Sequence, residues 1–318
     1  MKKELGIFIL LVVLCAVTGF ENPRFFSQAN LVNMANLIGL FGIFSLGAGL
    51  VIITAGIDLS VGSMIALIGM LLVMALTEWH WWWPLALLFV AAVSMILGLA
   101  HGFLITRFKM QPFIVTLCGL LLYRGIARFI AQDTTKGFGD AEGFKALQSF
   151  ASGKLFGTPM PFVLLILISI VMWVVLHRSI YGRYLFAVGR NEEATRFSGI
   201  NTRFVIAGTY VVAGLLTGIS AILFAFYTNS VSPSTHGNFY ELYGIAAAVL
   251  GGCSLRGGEG SIIGILIGVA LLQVLQNLVN LLGIPSSLNF AVMGAVVLIG
   301  VLADQIFKNR ARKKISNR

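Results

Sequence analysis

The chain has 318 residues, of which 58% are hydrophobic and only 11% charged. A soluble domain carries about 25% charged residues, so the composition excludes an ordinary soluble enzyme and describes an integral membrane protein. The net charge of +10 does not mark a nucleic-acid binder: the basic residues lie in short loops and near the ends, between apolar spans, a pattern that orients a membrane protein and adheres to anionic headgroups.

About 20 mostly apolar residues cross a bilayer as a helix. The sequence offers about ten such segments, near 5–20, 34–55, 61–77, 84–106, 112–131, 161–177, 204–226, 241–254, 261–282 and 288–307. The expected fold is therefore an all-α polytopic membrane protein, one transmembrane domain over residues 1–318. Lys2 and Lys3 precede the first apolar run, but no A-x-A cleavage site follows, so that run is read as a retained first span. With both termini on the cytoplasmic side, sixteen of the 22 Lys and Arg residues fall on that side, as positive-inside placement requires. Cys15, Cys118 and Cys253 show no paired spacing and are expected to be small buried hydrophobes, neither a disulfide framework nor a metal cluster.

The second and third segments are separable only at T-A-G-I-D-L-S-V-G-S, residues 54–63. A carboxylate at membrane depth costs about 2.5 kcal/mol or more, which makes Asp58 a functional candidate. Gly56, Gly62, Ser60 and Ser63 around it permit a broken helix of the kind that builds transporter sites. The plainer alternative is a short turn with Asp58 as N-cap of the next helix. W-H-W-W-W at 79–83 reads as an outer interfacial belt, and the polar loop 132–160 as a surface for an external partner or a solvated connector. His101 is expected to be a hydrogen-bonded packing residue, and Arg124 and Arg128 to snorkel outward.

The inner loop 178–203 is the most informative polar stretch. Asn191 can cap a short helix over residues 192–197, with Gly199 near its end, suited to docking in a groove on a cytoplasmic protein or to lying on headgroups. The glycine-rich turn 251–261 echoes residues 56–63 and hints at duplicated architecture. No G-x-x-x-x-G-K-[ST] loop occurs anywhere, so the chain has no such route to ATP. On the ninth segment Gln273, Gln276, Asn277 and Asn280 share one helical face, and Asn33 and Asn36 open the second; each set is either a solute path or interhelical glue.

At residues 54–63 the sequence resembles the membrane permease subunits of bacterial ABC importers for monosaccharides, the ribose/xylose/galactose type. Q-P-F-I-V-T-L at 111–117, R-G-I-A at 124–127, the stretch 182–200, the stretch 240–261 and the final A-D at 303–304 carry the resemblance over nearly the whole chain. It implies a complex of two permeases and two ATPases fed by a periplasmic sugar-binding protein, in the bacterial inner membrane. ATP would be held and hydrolysed by the partner ATPase, with no cofactor or metal in this chain and no nucleic acid involved. The helix around Gly189, Asn191, Glu192, Ala194 and Gly199 is similar to the family's coupling helix. Asp58 and Ser60 would form the broken-helix element, and Asn33, Asn36, Gln273 and Asn277 the path. Tyr243-Gly244 stands where the family usually has Asp-Ala. Two rivals are a branched-chain amino acid permease of the same superfamily and a stand-alone ion-coupled transporter; the latter needs several acids within spans, where Asp58 is the only strong candidate.

Overall fold

The computed structural model describes residues 2–139, 142–285 and scattered positions between 288 and 298. The tenth predicted segment, 288–307, and Asp304 lie essentially outside the described residues. Chain order runs α1 (Lys2–Glu21), α2 (Gln28–Ile53), α3 (Val61–Thr77), α4 (Trp83–Phe108), α5 (Pro112–Ile130), β1 (Lys136–Gly137), α6 (Lys145–Ala151), β2 (Lys154–Leu155), β3 (Thr158–Pro159), α7 (Met160–His177), α8 (Ile180–Arg190), α9 (Glu192–Phe197), α10 (Thr202–Thr228), β4 (Ser230–Val231), α11 (Tyr240–Leu250) and α12 (Ile262–Leu281). The strands form only two two-residue pairs, β1 with β4 and β2 with β3. Seven of the described helices are long and apolar enough to cross a membrane, and the protein is an all-α multi-pass membrane protein.

Nine of the ten expected segments correspond to described helices, with shifted edges. α2 starts at Gln28, six residues before the expected edge, because Ser27 caps it and the amide-rich first turns continue the helix. Pro84, Pro112 and Pro161 sit in the first turns of α4, α5 and α7, where a missing N–H costs nothing. The eighth segment is a half-helix: α11 has 11 residues, roughly 16 Å of rise and too short to cross. Residues 232–239 feed into it as irregular chain. In the loop 178–203 the short helix α9 forms over the expected residues, and a second helix, α8, precedes it.

α2, α3 and α10 form the centre, with α4, α5, α7, α11 and α12 packed around them. The gradient is steep: 83% of the most apolar stretch of α2 is buried, against 6% of α1. With no hydrophobic drive between helices in lipid, close approach depends on small residues. α4 and α10 meet this way. Gly98 lies against the Tyr210 carbonyl, and a Cβ at Gly102 would come within 2.6 Å of Ala207 Cα. The described cysteines are free. Cys253 is buried, as expected of a small hydrophobe, but Cys118 is on the exposed face of α5 and Cys15 is half-buried.

Candidate functional site

The helical path α2–α3 is broken at residues 54–60, as the sequence suggested, and the freed backbone is satisfied by side chains from neighbouring helices. Thr54 Oγ1 donates to the Val51 carbonyl at 2.7 Å, and Ala55 turns the chain through the left-handed region at φ 62°. The Ile57 carbonyl accepts from Thr116 Oγ1 of α5 at 3.2 Å and from Tyr210 Oη of α10 at 3.4 Å. Irregular chain at membrane depth has to be buried in protein in this manner.

Asp58 is 6% exposed. Its Oδ1 accepts from the Ser60 amide at 2.8 Å and from Ser60 Oγ at 2.7 Å. The Ser60 carbonyl in turn accepts from Ser63 Oγ at 2.8 Å. Ser60, not Asp58, occupies the N-cap position of α3, and no side chain caps that end. Asp58 therefore closes a turn two residues upstream, and the N-cap alternative does not hold. Ser60 packs against Gly119 of α5. Gly119 is seven residues into α5, so the carboxylate sits roughly 10 Å in from the end bearing Arg107 and Lys109.

Around Asp58 the structure collects groups from four other helices. Its charge reaches His101 of α4, Tyr123 of α5, Tyr210 of α10 and Glu241 of α11. His101 Nε2 and Tyr123 Oη are hydrogen-bonded at 2.8 Å, the tautomer setting which donates. His101 is thus a bonded packing residue, as expected, although its Nδ1 is buried with no partner among the described residues.

A second discontinuity meets the first. Arg124 does not snorkel: its Nη1 donates to the carbonyls of Pro233 at 3.0 Å and His236 at 2.8 Å, holding the irregular segment before α11. Loop carbonyls inside the bundle offer it closer partners than the headgroups do. Arg128 does reach outward, pairing with Asp133 at 2.6 Å. The bound segment brings Gly237 backbone-to-backbone onto Gly62, and the Glu241 carboxylate lies against Gly62 as well. No side chain fits between these chains. Glu241 is 7% exposed, so Asp58 is not the only acid within the helical core. The signal for it was present in the sequence, as the acid opening the eighth apolar segment.

Tyr243 and Gly244 pack into the aromatic cluster beside this junction. The Tyr243 ring lies 5.2 Å from that of Phe41, and a Cβ at Gly244 would be 3.1 Å from Phe44.

The remaining path candidates stand apart from Asp58. Asn33 is exposed and Asn36 half-buried. They precede Ile53 by 20 and 17 residues, roughly 30 and 26 Å of helix rise. Asn277 pairs amide to amide with Asn30, at 2.7 and 3.1 Å, joining α12 to α2. Gln273 is buried, with Oε1 unpartnered among the described residues.

The loop 178–203 touches the break directly. Asn191 Oδ1 accepts from the Ala194 amide at 2.9 Å, so it caps α9 as its sequence position implied. Glu192 Oε1 accepts from Thr202 Oγ1 at 3.2 Å, tying α9 to the start of α10. Gly199 ends the turn at φ 83° with open space around it. Phe197 is 79% exposed. At the end of α8, Gly189 lies on the Ile53 carbonyl, the last residue of α2, which also accepts from the Gly258 amide at 2.8 Å. A Cβ at Gly257 would meet the Gly189 carbonyl at 2.5 Å and Ala55 Cβ at 2.7 Å. The glycine-rich turn 251–261 thus meets the chain at Ile53 and Ala55, just before the stretch it echoes, with the end of α8 wedged at the seam.

Residues 30–301 match the family model described as branched-chain amino acid transport system / permease component. A ribose import permease protein of Bacillus subtilis (strain 168) is 38% identical over 95% of this chain and 93% of its own length. One from Escherichia coli (strain K12) is 37% identical over 93% and 92%. A galactose/methyl galactoside import permease protein of the same Escherichia coli strain is 31% identical over 98% and 96%. No solved structure matches the chain.

Proposed function

We propose, because the chain belongs to the permease family of ABC-type monosaccharide importers, that it is the membrane subunit through which a monosaccharide crosses the bacterial inner membrane. The family model covers branched-chain amino acid permeases as well. The full-length similarity to ribose and galactose permeases favours a sugar over an amino acid.

The observation that carries the mechanism is the meeting of the first turn of α3, just past the break at 54–60, with the irregular segment 232–239, at Gly62 and Gly237. Backbone contact closes the bundle there, and the polar groups on either side are Asp58, Ser60, Arg124 and Glu241. Carboxylate, hydroxyl and guanidinium groups suit the neighbouring hydroxyls of a sugar, so we assign the path to these four. The Asn30–Asn277 pair serves better as glue between α2 and α12, and Asn33, Asn36 and Gln273 would act, if on the path, nearer the opposite mouth.

ATP would be bound and hydrolysed by a separate subunit, consistent with the missing phosphate-binding loop. Both termini and the α8–α9 segment would face the cytoplasm, where α9, through Asn191, Glu192 and Ala194 and with Phe197 exposed, would dock on the ATPase. Gly189 and Gly199 would set the position and end of that segment. A periplasmic binding protein would deliver the sugar, and a second permease, identical or related, would complete the pair. Transport is then a change of access between two states, each ligand acting by what it binds differently in them.

The test is affinity purification of the tagged chain in mild detergent with identification of each co-purifying subunit. An ATPase with a phosphate-binding loop supports the reading. A single species that moves sugar without ATP favours the ion-coupled alternative, for which Glu241 is the one specific observation.

A further inference from the structure

A surface groove of about 450 Å³ lies between α4, α10 and α8. Leu99, Tyr181, Ala207, Gly208 and Val211 are among its walls. Its volume is within the range of about 300–1,000 Å³ common for small-ligand sites. The one polar group among those side chains, the Tyr181 hydroxyl, is engaged with the Val205 carbonyl at 3.0 Å and Thr209 Oγ1 at 3.1 Å. Gly208 packs beneath Tyr181: a Cβ there would stand 3.1 Å from that hydroxyl. The interior is therefore suited to hydrocarbon.

The mouth is basic. Leu99, Phe103 and Arg107 follow one another at i+4 on α4, and Arg203, Ala207 and Val211 do so on α10. Residues four apart stand in one row on a helix. Gly102 packs on Ala207, which fixes the register of the two antiparallel helices. From that contact Arg107 lies five residues along α4 and Arg203 four residues back along α10, roughly 7.5 and 6 Å of rise. The two guanidinium-bearing residues thus flank the groove at one depth, at the helix ends where headgroups sit. Both are exposed, and neither has an acidic partner among the described residues.

We propose that this groove is a binding site for an anionic phospholipid, with one acyl chain along Leu99, Ala207 and Gly208 and the headgroup phosphate between Arg107 and Arg203. Basic pockets between transmembrane helices on the cytoplasmic side take such headgroups. In the orientation proposed above, the lipid belongs to the cytoplasmic leaflet, next to the α8–α9 segment that would meet the ATPase.

The experiment is native mass spectrometry of the full-length protein released from nanodiscs of equal phosphatidylglycerol and phosphatidylcholine. Each near-surface arginine contributes about fivefold, so the wild type should hold phosphatidylglycerol over phosphatidylcholine by about 25-fold. Arg107→Gln/Arg203→Gln should bring the ratio close to one. Gly208→Leu, which fills the groove and keeps both arginines, should lower retention of either lipid. Equal retention by the wild type, an unchanged preference in the double variant, or full retention in Gly208→Leu would overturn the site. So would a disulfide between two copies of a Leu99→Cys variant in the membrane, which would place a second permease over the groove. None of these readouts requires transport, so failure here leaves the importer reading standing.

Discussion

Replacing Gly189 with alanine tests how force reaches the solute path. The added methyl would fall on the Ile53 carbonyl oxygen and 2.5 Å from the Gly258 nitrogen, two atoms hydrogen-bonded to each other at 2.8 Å. Both neighbours are backbone, so neither can rotate aside. The methyl fits only if the end of α8 withdraws or the Ile53–Gly258 bond opens. Losing the bond costs about 1 kcal/mol and overpacking about 1–3 kcal/mol, a total of roughly 2–4 kcal/mol. A shift near 3 kcal/mol lowers the population with a closed joint on the order of 100-fold. The assay is sugar uptake measured beside ATP hydrolysis and ATPase co-purification in the assembled importer. We expect the ATPase to remain bound, because the Asn191 cap and the exposed face of α9 are untouched. Hydrolysis should continue while uptake drops on the order of 10- to 100-fold. Gly199→Ala is the control: it strains a left-handed residue by about 1–2 kcal/mol but meets nothing within 4 Å. Uptake within twofold of wild type in Gly189→Ala would refute the idea that α8 acts on α2 through this contact.

Asp58→Asn keeps an acceptor for Ser60 and removes the charge; it should insert normally, with uptake down about tenfold, the gap between a charged and a neutral hydrogen bond. Wild-type flux in that variant would remove Asp58 from the path. Arg124→Gln loses two charge-assisted bonds to loop carbonyls, about 3–6 kcal/mol together, and should speed hydrogen exchange across residues 232–239 while uptake falls; unchanged exchange there would contradict the bracing role. Asn191→Ala removes the α9 cap, worth about 1 kcal/mol, so ATPase affinity should weaken by about fivefold or less in a pull-down titration. Burial pushes the Cys253 thiol up to about 12. At pH 8 it should resist maleimide in detergent while exposed Cys118 reacts, and its rate should rise about tenfold per pH unit until the thiolate predominates; rapid labelling at pH 8 would show the 251–261 turn to be open.

The sequence made the membrane class and the Asp58 break legible because both are local: composition and apolar run length set the first, and a carboxylate among glycines and hydroxyls the second. The α9 cap was readable for the same reason. What it concealed is contact between distant segments. Arg124 looks like any arginine near a span end, and only the fold shows loop carbonyls 109 and 112 residues away supplying its partners. Glu241 reads as the edge of a short segment until Gly237 is seen on Gly62. The amide stripe on α12 has the right period for a path, but period gives the face and not the neighbour, and Asn30 turned out to be the partner of Asn277. α8 was hidden because its two glycines in eleven residues lower its helix propensity. Gly189, one of those glycines, lies on α2.

The most direct measurement is uptake of radiolabelled ribose and galactose into liposomes holding the purified permease, with and without its ATPase, binding protein and ATP. An ATP-driven monosaccharide permease gives flux only when all of these are present. Flux driven by an ion gradient through the permease alone would contradict it.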